Sequence, residues 1–166
     1  TTGGLKGAFT AQVNGGAAIQ GQVVPSGARS AVRLQSVDAG AVFRSAGLLT
    51  QARGGSMQLQ LDPVAGPGNY DVDLRVRETR IKDARAMAAL LNAISVVGLL
   101  DEMAGQGIYF SSIESVMRIT PTEVKVLSGS AVGPSMGLSF DGTVVDSGSI
   151  SLSDGIKAAS RSKALE

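Results

Sequence analysis

Apolar and polar residues alternate along most of this chain, and turn-forming residues separate the alternating stretches. In the clearest case, residues 70–79, every second residue through Val76 is apolar, and the residues between are Asp or Arg. A period of two predicts β-strands, and strands with one apolar and one wet face are typical of antiparallel sheets. We predict strands at residues 5–13, 17–24, 28–37, 56–61, 70–79, 108–119, 122–128 and 135–145, with a short final strand at 149–152.

The residues between these strands favour turns, except in one place where the period changes. Asn14-Gly15-Gly16 predicts a hairpin turn because Asn and Gly tolerate positive φ, and Pro121-Thr122-Glu123 predicts another hairpin. Residues 129–134 are predicted to connect the last two long strands. After Asp38 the apolar spacing becomes helical, which predicts a short helix over residues 41–49 with Asp38 as its N-cap.

The stretch 81–104 is the one long helical signal in the sequence. Its apolar residues fall into two sets with helical spacing that are out of phase, so one straight helix cannot keep both on a single face. We predict two short helices broken near Ser95, with Ser95 capping the second and Gly105 and Gly107 ending it. The residues predicted to form a plug or lid over the sheet are Met87, Leu90, Leu91, Ile94, Val96, Leu99, Leu100 and Met103.

Residues 86–100 carry no charge, but so short a segment does not cross a bilayer comfortably. A membrane-surface helix is the alternative, and it is disfavoured because such helices carry more Lys and Arg on the polar face. The better interpretation is a helical hairpin or kinked helix lying on an apolar sheet.

The predicted strands offer more apolar surface than this helical segment can cover. Either the sheet curls on itself or part of its inner face stays available to a ligand. Any single apolar residue on the inner face is explained most simply as a core residue. Only the excess of apolar sheet surface over the helical segment that could cover it favours a groove. The residues predicted to line it are Met57, Leu59, Leu61, Val72, Leu74, Val76, Met117, Val124, Val126, Leu138 and Phe140.

The amino-acid composition excludes some classes of function. With 15 basic and 14 acidic residues and no basic run, the sequence does not predict nucleic-acid binding. Cys is absent, so disulfides and thiolate metal sites are excluded, although the redox compartment is not decided. The chain does not begin with Met and shows no signal peptide or transmembrane segment, so we expect an excised fragment whose membrane anchor lies elsewhere. Residues 163–166 resemble an expression-vector scar.

Catalytic and metal-binding patterns are weak. His is absent, which excludes Ser-His-Asp triads, Cys-His dyads and histidine metal sites. Gly105-Gln106-Gly107 follows a helical signal and precedes a strand, the reverse of a dinucleotide loop. We therefore predict no enzyme activity, no cofactor and no metal. The sequence disfavours three other groups: a calcium cluster at Asp62, Asn69, Asp71 and Asp73, the neighbouring carboxylates Asp101 and Glu102, and the Ser-x-x-Lys pair Ser160 and Lys163.

Three stretches together resemble the C-terminal region of the AsmA-like superfamily, in particular large periplasmic proteins of the TamB and YhdP type. The resemblance covers roughly residues 5–145 and rests on the order and spacing of the three stretches; beyond Val145 the sequence departs from the family's usual continuation. The stretches are Val37-Asp38-Ala39-Gly40-Ala41-Val42-Phe43-Arg44-Ser45-Ala46-Gly47 with Gly54-Gly55-Ser56-Met57; Leu90-Leu91-Asn92-Ala93-Ile94-Ser95 with Gly98-Leu99-Leu100 and Gly105-Gln106-Gly107-Ile108-Tyr109-Phe110; and Gly133-Pro134-Ser135-Met136-Gly137-Leu138 with Asp141-Gly142.

The resemblance implies a periplasmic protein anchored to the inner membrane, with a long curved β-sheet and an apolar inner groove. It implies phospholipid acyl chains as cargo, movement of lipid towards the outer membrane and a part in outer-membrane integrity. Other envelope proteins or the rest of the parent chain are the expected partners.

Together these inferences predict a mainly β domain with a helical insertion: a curved antiparallel sheet, as a groove or half-barrel, with a broken helix packed on or in its apolar face. Residues 1–152 form this domain, 81–104 its insertion and 153–166 a tail, disordered or partly vector-derived. The leading functional hypothesis is a lipid-conduit segment. The alternatives are a structural or interaction module with a plugged groove and exposed pairing edges, and a surface adhesin or passenger domain, which the absence of fixed-period repeats disfavours.

Overall fold

A computed structural model describes residues 4–82, 105–134, 136–145, 149–151 and 157–160. Within these ranges eleven strands form one open sheet in which every pairing is antiparallel. The mainly β prediction is therefore confirmed. The elements are β1 (Gly7–Gln12), a 3-10 turn η1 (Val13–Gly15), β2 (Ala18–Ser26), β3 (Arg29–Ser36), α1 (Ala39–Ser45), β4 (Ala52–Arg53), β5 (Ser56–Pro63), β6 (Tyr70–Ile81), β7 (Ile108–Ile119), β8 (Glu123–Val132), β9 (Met136–Val145), β10 (Ser149–Ser151) and β11 (Lys157–Ser160).

The sheet follows the chain almost in sequence order. Its main path runs β1-β2-β3-β5-β6-β7-β8-β9-β10, while β4 pairs with β6 and β11 pairs with β9. Most connections are thus hairpins between neighbouring strands, which the turn signals in the sequence favour. Strand β11 lies inside the segment predicted as a tail, and the structure describes its backbone pairing only.

Helix α1 packs at one end of the sheet. Its N-cap is Asp38, whose carboxylate accepts a 2.8 Å hydrogen bond from the Ala41 amide, as the sequence predicts. The amides of Ala39 and Gly40 donate to the carbonyls of Gly55 and Gly54, at 2.7 and 3.0 Å. The start of the helix is therefore fixed against the β4–β5 connection by backbone bonds.

A buried core forms where α1 meets the sheet. Ile108 is fully buried and lies opposite Ile81, which in turn lies opposite Ala52 of β4. Thr79 is also fully buried, and its hydroxyl donates to the Arg53 carbonyl at 3.2 Å. This satisfied hydroxyl avoids the cost of an unpaired polar group in the core. The cluster of buried apolar residues is Ala17, Ala39, Val42, Phe43, Ala52, Met57, Val76, Ile81, Ile108, Phe110, Ile113, Ala131 and Met136.

Several sequence-based boundaries are wrong, and one strand was missed. Helix α1 is Ala39–Ser45 rather than residues 41–49. Ile81, predicted to begin the helical insertion, is the last residue of β6, because its pairing with β4 and β7 extends that strand. Strand β8 continues to Val132 rather than ending at 128, so residues 129–132 pair with β9 instead of forming a loop. The two-residue strand β4 was not predicted at all.

Residues 83–104 of the predicted insertion, which include all eight plug or lid residues, lie outside the described residues. Among the described helices, none is long and apolar enough to cross a membrane.

Candidate functional site

The register of the sheet places all eleven predicted groove residues on one face. Residues paired directly across an antiparallel ladder point to the same side, so each chain of paired partners is a row running across the strands. The near row, beside α1, contains Ser36, Met57, Val76, Ile113, Ala131 and Leu138. The middle row contains Phe9, Gly21, Leu34, Leu59, Leu74, Ser115, Gly129 and Phe140. The far row contains Val23, Val32, Leu61, Val72, Met117 and Val126.

Val124, the last predicted groove residue, pairs with Ile119 beyond the far row, two residues from Val126 along β8. The three rows and Val124 together form what we call the apolar face. Sequence reasoning placed its eleven candidates on a common side but omitted several others of the same rows. Those omitted are Phe9, Val23, Val32, Leu34, Ile113 and Ala131.

Burial divides the predicted groove residues into two groups. Met57, Val72 and Val76 are buried, with 5%, 0% and 0% of their surface exposed. The other eight are half-buried, so they retain accessible apolar surface. Of the three rows, the near row alone contributes buried members to the core cluster: Met57, Val76, Ile113 and Ala131. Leu138 of the near row and Leu74 and Phe140 of the middle row are partly buried against that cluster, and among the described residues no far-row residue belongs to it.

Two glycines of the middle row are covered by aromatic rings. A Cβ at Gly21 would collide with the ring of Phe9 on the neighbouring strand, and a Cβ at Gly129 would collide with the ring of Phe140. Each ring therefore occupies the space above a position that has no side chain, an arrangement that stabilises Gly within a strand. As a result the middle row presents an apolar surface even at Gly21 and Gly129, which have no side chains of their own.

The polar side chains on this face form hydrogen bonds to the backbone. Ser36 Oγ donates to the Ala18 carbonyl at 3.0 Å, and Ser115 Oγ donates to the Ser128 carbonyl at 3.1 Å. Because both hydroxyls are satisfied, they add little polarity to the surface around them.

The opposite face of the sheet carries charged and amide side chains. Arg118 and Asp71 form a bidentate pair with bonds of 2.6 and 2.8 Å, and Arg77 pairs with Glu114 at 3.1 Å. Asp71, a member of the disfavoured calcium cluster, is thus paired with Arg118. Among the described residues, no group of three or more acidic side chains is arranged to hold a metal ion.

Strand β1 forms one edge of the open sheet. All six of its residues are exposed, and none of them is charged. An edge strand of this kind presents unpaired backbone donors and acceptors to another strand.

Comparison with known proteins identifies no relative: no protein-family model, curated protein or solved structure matches the chain.

Proposed function

We propose that this chain is a segment of an envelope-spanning lipid-transfer protein whose apolar face shelters phospholipid acyl chains. The observation that supports the proposal is the apolar face itself, three rows deep across an open sheet. Its middle row and, apart from the buried Val72, its far row carry half-buried apolar side chains. The sequence resemblance to the AsmA-like superfamily motivates the same function, a periplasmic location and an inner-membrane anchor elsewhere in the parent chain.

The energetics of this mode of binding are favourable without specific polar recognition. Each methylene removed from water contributes about 0.8 kcal/mol, so ten methylenes laid along the rows contribute about 8 kcal/mol before the entropic cost of binding. A surface of Leu, Val and Met offers no hydrogen bond that would hold one lipid type in preference to another. We therefore expect binding to depend on chain length more than on headgroup.

Photocrosslinking tests the proposal on adjacent residues of β5. Leu59 lies in the middle row of the apolar face, whereas Gln60 points to the opposite face. A photoreactive amino acid at position 59 is expected to crosslink to phosphatidylethanolamine supplied as vesicles, and the same group at position 60 is expected to crosslink far less. Equal yields at the two positions, or none at 59, would contradict lipid binding by this face.

The β1 edge favours a second function, that of a structural module that pairs with another strand. Uncharged, fully exposed edge strands are joined by β-augmentation in many complexes. The partner would be an envelope protein or another part of the parent chain. This function predicts concentration-dependent association without lipid, abolished by Ala8→Lys with Thr10→Lys because charges on an edge strand oppose pairing. Association that persists in this variant would exclude the edge.

A further inference from the structure

The polar face contains a trough whose glutamines and arginines neither function uses. Its lining also includes Phe9, Gly21, Leu34 and Leu59 of the middle row and Ala8 and Thr10 of the β1 edge. The trough has a volume of about 830 Å³ and crosses β1, β2, β3, β5 and β6. Strands lie about 4.8 Å apart, so a trough that crosses five of them is about 20 Å long. Its volume is within the range of sites that hold small organic ligands.

Five of the fourteen residues that line the trough are glutamines. Gln20, Gln35 and Gln58 are paired in succession across β2, β3 and β5, which makes them one continuous row. Gln22 and Gln60 lie in the adjacent row, separated by Arg33. An amide both donates and accepts hydrogen bonds, as does a sugar hydroxyl. The Gln20–Gln35 bond of 3.1 Å shows that neighbouring amides are within bonding distance across strands.

Two arginines in the trough have no partner. Arg33 and Arg75 are exposed, and neither makes a hydrogen bond, ion pair or ring contact with the part of the chain that the structure describes. Arg77 and Arg118 on the same face are, in contrast, paired with carboxylates. The lining contains one carboxylate, Asp73, so two free cations exceed one anion.

We propose that this trough binds an acidic polysaccharide, a linear chain of sugars that carries both hydroxyls and carboxylates, laid across the strands. Arg33 and Arg75 would take the carboxylates, since guanidinium groups bind them in bidentate geometry, and the glutamines would bond the hydroxyls. An anionic membrane surface fits less well, because membrane recognition uses clusters of several Lys and Arg. A protein partner fits less well because the core of such an interface is aromatic and apolar.

Calorimetric titration with oligogalacturonate, a carboxylated glycan, tests this proposal, with neutral dextran as the comparison ligand. We expect the native protein to bind oligogalacturonate with an affinity that falls as salt is added, and to bind dextran much more weakly. The double variant Arg33→Gln/Arg75→Gln is expected to lose about tenfold or more in affinity, since bonds to charged groups are the stronger ones. Both side chains are exposed and unpartnered, so the variant should unfold at the same temperature as the native protein.

Arg118→Gln is the matched control, because Arg118 lies on the same face and outside the trough, already bound to Asp71. It is expected to leave the affinity for oligogalacturonate unchanged. The proposal is overturned if the native protein binds neither glycan, if dextran binds equally well, or if Arg118→Gln weakens binding as much as the double variant. It is also overturned if vesicles of phosphatidylglycerol, and not the glycan, bind in a manner that needs Arg33 and Arg75. The arginines and glutamines of the trough lie on the side of the sheet opposite the apolar face, so either proposal can fail without the other.

Discussion

Replacing Gly40 by Ala has two opposing effects on the free energy of unfolding: a gain in helix propensity and a steric clash with β4. Gly40 is the second residue of α1, and in an unconstrained helix Gly→Ala stabilises by about 1 kcal/mol. Here, however, a Cβ at position 40 would lie 2.6 Å from the Cα of Arg53 and 2.7 Å from its backbone N and C. These are backbone atoms of β4 and cannot rotate away, so α1 must move as a body.

That movement would weaken the amide bonds from Ala39 and Gly40 to the β4–β5 connection. Overpacking of this kind costs about 1–3 kcal/mol, and each bond that is lost adds about 1 kcal/mol. We therefore expect a net destabilisation of about 1–3 kcal/mol, since the clash and the weakened bonds exceed the gain in helix propensity. For a chain of this size that corresponds to a melting temperature lower by roughly 2–12 °C.

The assay is urea unfolding followed by circular dichroism, with Gly7→Ala as the control. Nothing lies within 4 Å of a Cβ at position 7, and Gly7 is in an exposed strand. We expect the control to be neutral or slightly stabilising, because Ala loses less backbone entropy than Gly on folding. If Gly40→Ala proves as stable as Gly7→Ala, the close packing of α1 on Arg53 is refuted.

Three further predictions concern stability. Ile108→Ala should cost about 2–5 kcal/mol in urea unfolding because Ile108 is fully buried, whereas Leu127→Ala, at a residue 46% exposed, should change stability by less than about 0.5 kcal/mol; equal effects would contradict the placement of the core. Asp38→Ala should cost about 0.5–2 kcal/mol and Asp38→Asn much less, because Asn also caps helices; an equal loss in both variants would show that the cap contributes little. A double-mutant cycle on Arg118 and Asp71 should give a coupling below about 1 kcal/mol that shrinks with salt, since both side chains are substantially exposed; a larger, salt-insensitive coupling would contradict that exposure.

The alternation in the sequence predicted most of the sheet because a period of two in side-chain chemistry is a local property. Residues 108–119 were assigned as a strand with the boundaries that β7 has in the structure. The Asp38 cap was likewise predictable, since it depends on residues only three apart. What is local in the chain was therefore recoverable from the residues alone.

Features that depend on distant partners were not predictable. Gly129 favours a turn by its residue type, but in the structure it pairs with Phe140 of β9, whose ring occupies the space above it. The two-residue strand β4 exists because β6 pairs with it. In both cases the tertiary partner overrides the local preference.

The apolar face was predictable from local alternation, whereas the trough was not. The sequence placed the apolar residues on a common face, because alternation fixes the side on which each residue lies. It showed the glutamines only as solvent-facing positions. Their alignment into a trough with Arg33 and Arg75 depends on the register between five strands, which turn lengths and bulges set and alternation does not.

The proposed lipid function is tested most directly by paramagnetic relaxation with a phospholipid that carries a nitroxide near the end of its acyl chain. The signals compared are the side-chain methyls of Leu59 and Leu74, on the apolar face, and the side-chain amides of Gln58 and Gln60, on the polar face. We predict that the nitroxide broadens the leucine methyl signals and leaves the glutamine amide signals sharp. Broadening of the glutamine signals alone, or no broadening of either set, would contradict the claim that the apolar face holds acyl chains.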